Sequence, residues 1–181
     1  MRIPVANVVG EIDEGWGPAR TVLSNESAFI AGARTPTGAK LRMLAEQMGC
    51  LHDPVIRQGL ARYISQERIA GWMGEQVQQA IRRGEMPPMD PGLIKLRASE
   101  NKRLAGDLAV AIMGPAAAAS LDGGDLADQI FWAQAELMGR YSVSIGGGTD
   151  QVLKNNIGER SLRLPREPGY DKNQSWKDIP K

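Results

Sequence analysis

Residues 144–160 read Ser-Ile-Gly-Gly-Gly-Thr-Asp-Gln-Val-Leu-Lys-Asn-Asn-Ile-Gly-Glu-Arg, three glycines and a threonine directly before a polar run with helical spacing. Glycines let a backbone approach a ligand closely, and the unpaired N–H groups of a helix start favour an anion. That chemistry would suit a cradle for a phosphate-bearing ligand. The plainer alternative is a connector between two helices. The common nucleotide motifs do not fit. A Walker-type loop needs Lys after its last glycine, where Thr149 stands, and a dinucleotide G-x-G-x-x-G follows a strand, whereas this loop follows a helical pattern. On residue chemistry alone both readings stay open.

Glu26 is the second candidate. Val22 lies one helical turn before it, and Phe29 and Ile30 one turn after, so Glu26 shares a face with an apolar stripe. A carboxylate on such a face is desolvated, and desolvation tunes a carboxylate toward general-base work. The structural alternative is a pair with a buried arginine. Asp107, Glu136 and Glu159 read as solvated or ion-paired. A single cysteine, Cys50, and a single histidine, His52, supply neither an internal disulfide, nor a metal-binding spacing, nor a Ser-His pair. The four tryptophans are too scattered for a base-stacking platform. Trp72 and Trp132 read as core, and Met43, Met48, Met73, Met113 and Met138 as gap fillers.

The elements that must carry these residues are helices. Gly17-Pro18 starts the first, with Val22, Leu23, Phe29, Ile30 and Ala33 at helical spacing. Residues 34–38, Arg-Thr-Pro-Thr-Gly, break it, and a short amphipathic piece follows around Leu41, Leu44, Ala45 and Met48. Asp53-Pro54 is a cap-plus-proline start for a helix of roughly 30 residues, long for a globular protein. Gly84 and Pro87-Pro88 end it. Asp90-Pro91 repeats the start signal, and Leu93 to Met113 form a helix stopped by Gly114-Pro115. Another runs from Gly124 to Gly139 with Leu126, Ile130, Phe131, Leu137 and Met138 on one side, and a last one, capped by Thr149, carries Val152, Leu153, Ile157 and Leu162. Only Ile3 to Val9 reads as β, a lone strand with no sheet to join. The expectation is an all-α, up-and-down helical bundle with a short orphan N-terminal strand. Residues 1–14 form the strand and linker, 15–164 the bundle, and 165–181 an extended Pro-rich tail.

Charge excludes some partners. With 22 basic and 21 acidic residues, a net charge of +1 and no basic block, nucleic acid and anionic membrane have no electrostatic claim. No run approaches the ~18 apolar residues of a membrane span, and no signal-peptide pattern opens the chain. A reducing cytoplasm is the expected location.

Several segments, in order, resemble the C-terminal half of the acyl-CoA dehydrogenase family. Residues 8–16 (VVGEIDEGW) resemble the end of that family's middle β-domain, residues 23–32 (LSNESAFIAG) its following helix, and residues 52–69 (HDPVIRQGLARYISQERI) a helix start in many bacterial members. Residues 144–168 resemble its closing signature, Ile-x-Gly-Gly-Thr-x-Glu-Ile through Ile-x-Glu-Arg to Leu-Pro-Arg, and this is the most specific match. The resemblance implies a flavoprotein that oxidises an acyl-CoA to the 2-enoyl-CoA, with FAD taking the hydride and an electron-transfer flavoprotein-like partner taking the electrons. By motif position it implies FAD contacts at Gly147, Gly148, Thr149 and Gln151, and a homo- or hetero-oligomer formed through the bundle.

Departures from the family pattern bear on the base. Many members place the catalytic glutamate inside the loop, as Tyr-Glu-Gly-Thr, where this chain has Gly146 to Thr149. Others place it on the first helix, and that position is Glu26. The usual arginine after it is Ser27, and Ala111 precedes Gly114-Pro115 where classical members carry a FAD-contacting Gln. These changes keep a second expectation in play, a non-catalytic assembly module of a hetero-oligomeric dehydrogenase. An acyl-CoA oxidase-like relative, passing electrons to oxygen, is a third.

Overall fold

A computed structural model describes residues 2–32, 37–86, 89–119, 124–165 and 175–178. Seven α-helices follow one another among them: α1 (Trp16–Gly32), α2 (Thr37–Gln47), α3 (Pro54–Arg82), α4 (Pro91–Met113), α5 (Ala127–Gly139), α6 (Ser142–Ile145) and α7 (Asp150–Asn156). The two proline starts work as their sequence dictates. The Asp53 carboxylate accepts from the N–H groups of Val55 (2.8 Å) and Ile56 (3.1 Å), and Asp90 accepts from Gly92 N–H (2.8 Å). Each cap satisfies orphan donors of the first turn, and the proline behind it gives up no helical hydrogen bond. Gly84 (φ 69°) and Gly114 (φ 56°) end α3 and α4 in conformations that side chains resist.

Helix α4 is the hub, packed against every other α-helix. Its C-terminal half is apolar or small around most of its circumference, with Ala105, Leu108, Ala109, Ile112 and Met113 buried. These meet Leu41, Leu44 and Ala45 of α2, Ile56, Leu60 and Tyr63 of α3, and Ile130 and Ala133 of α5 in one core. Small residues allow close approach. A Cβ on Gly106 would lie 2.9 Å from the Glu136 carbonyl oxygen and 3.1 Å from Leu137 Cα, so α4 and α5 touch backbone to backbone there. Outside the core, Lys102 pairs with Glu136 (2.6 Å) and Arg140 with Asp107 across the same helix pair. At the start of α2, the Glu67 carboxylate accepts from Gly38 N–H (3.1 Å). Beside it, burial and then the Glu67 charge push the Tyr63 phenol up to about 12.

Several expectations need correction. Ile3 to Val9 is not a strand: Val5–Asn7 forms a 3-10 turn, and Ile3, Val5, Val8 and Val9 are exposed. A strand needs a neighbour for its backbone groups, and among the described residues there is none. Trp72 is not core but 61% exposed, on the face of α3 opposite Tyr63. At 29 and 11 residues, α3 and α2 are about 43 Å and about 16 Å long, so α2 covers only part of its neighbour. Phe131, Met138 and Met43 are likewise exposed, whereas Trp132 packs against the core and Met113 is buried. The predicted break at 34–38 lies largely outside the described residues, as do Pro87-Pro88 and most of the tail. The helix predicted from Gly124 begins at Ala127, and α6 was not foreseen.

The α4–α5 contact makes a testable statement. Gly106→Val should cost about 1–3 kcal/mol of unfolding free energy, because only backbone can yield to the new side chain. Gly71→Ala, within α3 where no atom lies within 4 Å of the added methyl, should gain up to about 1 kcal/mol. Urea unfolding of the two variants beside the parent reads both effects.

Candidate functional site: the glycine loop and its buried cations

Helix α4 carries Lys95, Ser99 and Arg103 four residues apart, one stripe along one face. All three reach the segment from α6 through the glycine loop to α7. Lys95, 0% exposed, donates from Nζ to the Gly148 carbonyl (2.7 Å) and to Asp150 Oδ1 (3.3 Å). Arg103 donates to Asp150 Oδ2 (2.7 Å) and Ser144 Oγ (2.6 Å), and Ser99 Oγ donates to the Val143 carbonyl (3.1 Å). Asp150 is 5% exposed. Burial pushes its carboxyl up, but hydrogen bonds from Arg103, Ser99 and Lys95, with the Lys95 charge, outweigh that and hold it below the usual carboxylate range.

The loop follows from these anchors. Gly147 (φ 65°) and Gly148 (φ 97°) both occupy the left-handed region, which turns the Gly148 carbonyl inward to the ammonium. Thr149 then caps α7, its hydroxyl oxygen accepting from Val152 N–H (3.3 Å). Nothing lies within 4 Å of the position a Gly148 Cβ would take, so the loop is open on that side at Gly148, whereas Gly147 is buried. Gln151, in the first turn of α7, is exposed.

The structure thus gathers Gly147, Gly148, Thr149 and Gln151 on one firmly anchored turn. Glu26 stands apart on α1, and none of the hydrogen bonds above reaches it. It is exposed, as are Val22 and Leu23 beside it. The desolvation expected from the apolar stripe is not seen at Glu26, Val22 or Leu23, and the side chains of Phe29 and Ile30 lie outside the described residues. Running along α1 before Glu26 is an open groove of about 420 Å³ lined by Gly17, Arg20, Thr21 and Asn25. The Asn25 amide there donates to the Thr21 carbonyl (2.9 Å). No cluster of three or more His, Cys, Asp or Glu residues suited to a metal occurs among the described residues, and no helix among them is long and apolar enough to cross a membrane.

Against this geometry the comparisons with known proteins are specific. The family model described as "Acyl-CoA dehydrogenase, C-terminal domain" matches residues 41–162, most of the chain and all of the stripe and loop. The chain belongs to the acyl-CoA dehydrogenase family. Among curated relatives, acyl-CoA dehydrogenase IpdE1 of Mycolicibacterium smegmatis is 29% identical over 88% of this chain and 39% of its own length. Acyl-CoA dehydrogenase FadE29 of Mycobacterium tuberculosis is 28% identical over 93% of this chain and 44% of its own. A solved structure, a variant of the Tcur3481-Tcur3483 steroid ACAD, superposes with a TM-score of 0.68 at 25% identity, covering 91% of this chain and 44% of that one. The chain therefore spans less than half the length of the relatives it matches. Glu26 precedes the span matched by the family model.

Lys95, Ser99, Arg103 and Asp150 are what the sequence reading missed. The available signal was three polar residues at a four-residue spacing on a helix that is otherwise largely apolar. Lys95→Met should cost about 1–3 kcal/mol, since the Gly148 carbonyl loses its donor while Asp150 keeps Arg103. The Asp150 contribution has a definite sign. Its folded carboxyl sits below the ordinary value, so the stabilisation is complete above about pH 4 and is lost as the pH falls through the folded value. Acid titration of unfolding stability should show the gap between parent and Asp150→Asn narrowing below about pH 4 and constant above it.

Proposed function

We propose that this chain is the C-terminal part of an FAD-dependent acyl-CoA dehydrogenase that converts an acyl-CoA thioester to the 2-enoyl-CoA. The observation that carries the reading is the loop: a family-matched glycine turn, open at Gly148 and locked from within by a buried ammonium. Such a turn fits a flavin, because it offers ligand-facing backbone without a side chain in the way and places the exposed Gln151 amide beside it. At the start of α7 the Thr149 oxygen accepts in the cap, which leaves its O–H able to donate to a ligand. Gly147, Gly148, Thr149 and Gln151 would hold the cofactor edge, and bound FAD would supply the hydride acceptor.

Glu26 is the residue assigned to take the α-proton. The α1 groove, lined by residues of the preceding turns, has the Arg20 guanidinium and the Asn25 amide as donors for a polar, anionic acyl carrier. The electrons would leave through an electron-transfer flavoprotein-like acceptor, and a cytoplasmic oligomer joined through the bundle is the assembly this reading carries. Residues 1–14 would belong with the preceding domain.

Two observations favour a second reading, an assembly module serving a partner subunit's site: the loop has no glutamate, and α5 leaves Phe131 and Met138, 78% exposed, on its outer face. The structural neighbour is itself named for two products, Tcur3481 and Tcur3483. In the complete protein, Glu26→Gln should lower kcat by roughly 10²–10⁴-fold while flavin content stays at the parent level. Unchanged turnover would remove Glu26 as the base, and a parent protein that holds FAD yet leaves it oxidised with every acyl-CoA offered would establish the assembly reading.

A further inference from the structure

Asp150 has two cationic partners, and the nearer is Arg103 at 2.7 Å rather than Lys95 at 3.3 Å. The shortest contact of Lys95 is instead the Gly148 carbonyl, at 2.7 Å. The buried ammonium is therefore aimed at the loop more than at the carboxylate. The loop has need of such a contact. Two successive glycines carry more backbone freedom than any other pair, and nothing packs against the side of Gly148 where a Cβ would stand. Ser99 and Arg103 fix α6 ahead of the loop, and the Thr149 cap fixes α7 behind it. Between those anchors the Lys95 hydrogen bond turns the Gly148 peptide, and with it the direction of the backbone left open there.

We propose that Lys95 is a positioning residue: by holding the Gly148 carbonyl it selects the one loop conformation whose outer backbone face accepts the flavin. The flavin part rests on the function proposed above; the loop part does not. The variants Asp150→Asn and Lys95→Met/Asp150→Asn both lack the carboxylate and differ only in the amine, so their comparison isolates its bond to Gly148. The first keeps that bond but leaves the buried ammonium without its carboxylate, at a cost to stability that unfolding measurements read; the second removes both buried charges together.

Hydrogen exchange of this 181-residue chain, read over residues 143–150 with α3 and α5 as internal references, is the deciding measurement. Exchange in the loop should be at least about tenfold faster in the double variant than in Asp150→Asn, with the references unchanged. Equal loop exchange in the two variants would overturn the proposal. Should the double variant prove unfolded, the parent decides: a Lys95 ammonium resonance protected from solvent, with through-hydrogen-bond coupling to the Gly148 carbonyl carbon, supports the assignment, and a rapidly exchanging ammonium overturns it. An FAD titration of the same proteins, followed by flavin fluorescence, should show at least about tenfold weaker binding by the double variant than by Asp150→Asn. A parent chain that binds no FAD while the exchange contrast holds would count against a flavin site built by this chain alone and leave Lys95 as the residue that orders the loop.

Discussion

A lysine ammonium removed from water loses several kcal/mol of hydration, and the protein around it must return that in hydrogen bonds. Lys95 is wholly buried, so the acceptors around it are obligatory. The chain supplies them from far along the sequence: a loop carbonyl at Gly148 and a carboxylate at Asp150, both beyond α5. Meeting that demand dictates much else. The loop must turn a carbonyl inward, which only left-handed backbone at two positions achieves, which in turn requires the glycines. Asp150 must be anionic and buried, which requires Arg103 as a second cation. Arg103 then reaches Ser144 and fixes α6.

A hydrophobic stripe in place of Lys95, Ser99 and Arg103 would bind α7 to α4 with comparable strength, since buried ion pairs are often matched by well-packed apolar groups of the same volume. Such a stripe would not determine where α7 stops sliding. Charges with fixed geometry do, because each displacement leaves an ion unpaired. The contrast with the α4–α5 seam is instructive. There Gly106 and Ala109 allow close approach and the fit is set by shape, with Lys102–Glu136 and Arg140–Asp107 on the flank. One face of the hub is held by shape and another by charge, and the loop lies on the charged one.

This division explains what the sequence made legible. Caps are local: Asp53-Pro54, Asp90-Pro91 and Thr149 each state a helix start within three residues, and each holds in the structure. Glycine stops at Gly84 and Gly114 are local too. The charged stripe was not legible, because a lysine, a serine and an arginine at helical spacing look the same on a solvated face as on a buried one until the partner strand of chain is known. Trp72 failed for the opposite reason. Its apolar bulk suggested burial, but which face of α3 is covered depends on where α2 and α4 pack, on the side of Tyr63 and away from Trp72, a tertiary fact. The lone strand at Ile3–Val9 was read from residue types that favour β structure, and β structure also needs a neighbour that the described residues do not contain.

The two halves of the proposed site stand at different stages of preparation, and the reason is again burial. The loop has its geometry fixed by bonds internal to this chain, with its polar interior satisfied and its Gly148 side open. Glu26 has none of this: it sits on a helix whose exposed Val22 and Leu23 form an apolar strip with no cover among the described residues. A general base works best when shielded from bulk water and aimed by its surroundings. If Glu26 is the base, as proposed, that shielding would have to come from something other than the described residues, and the strip that would receive the cover runs along the same helix. On the proposed reading the cofactor side would be preorganised by α4, whereas the proton-abstracting side would become competent only once something apolar covers α1. Covering the α1 face, rather than rearranging the loop, would then be what brings base and flavin into one solvent-excluded site.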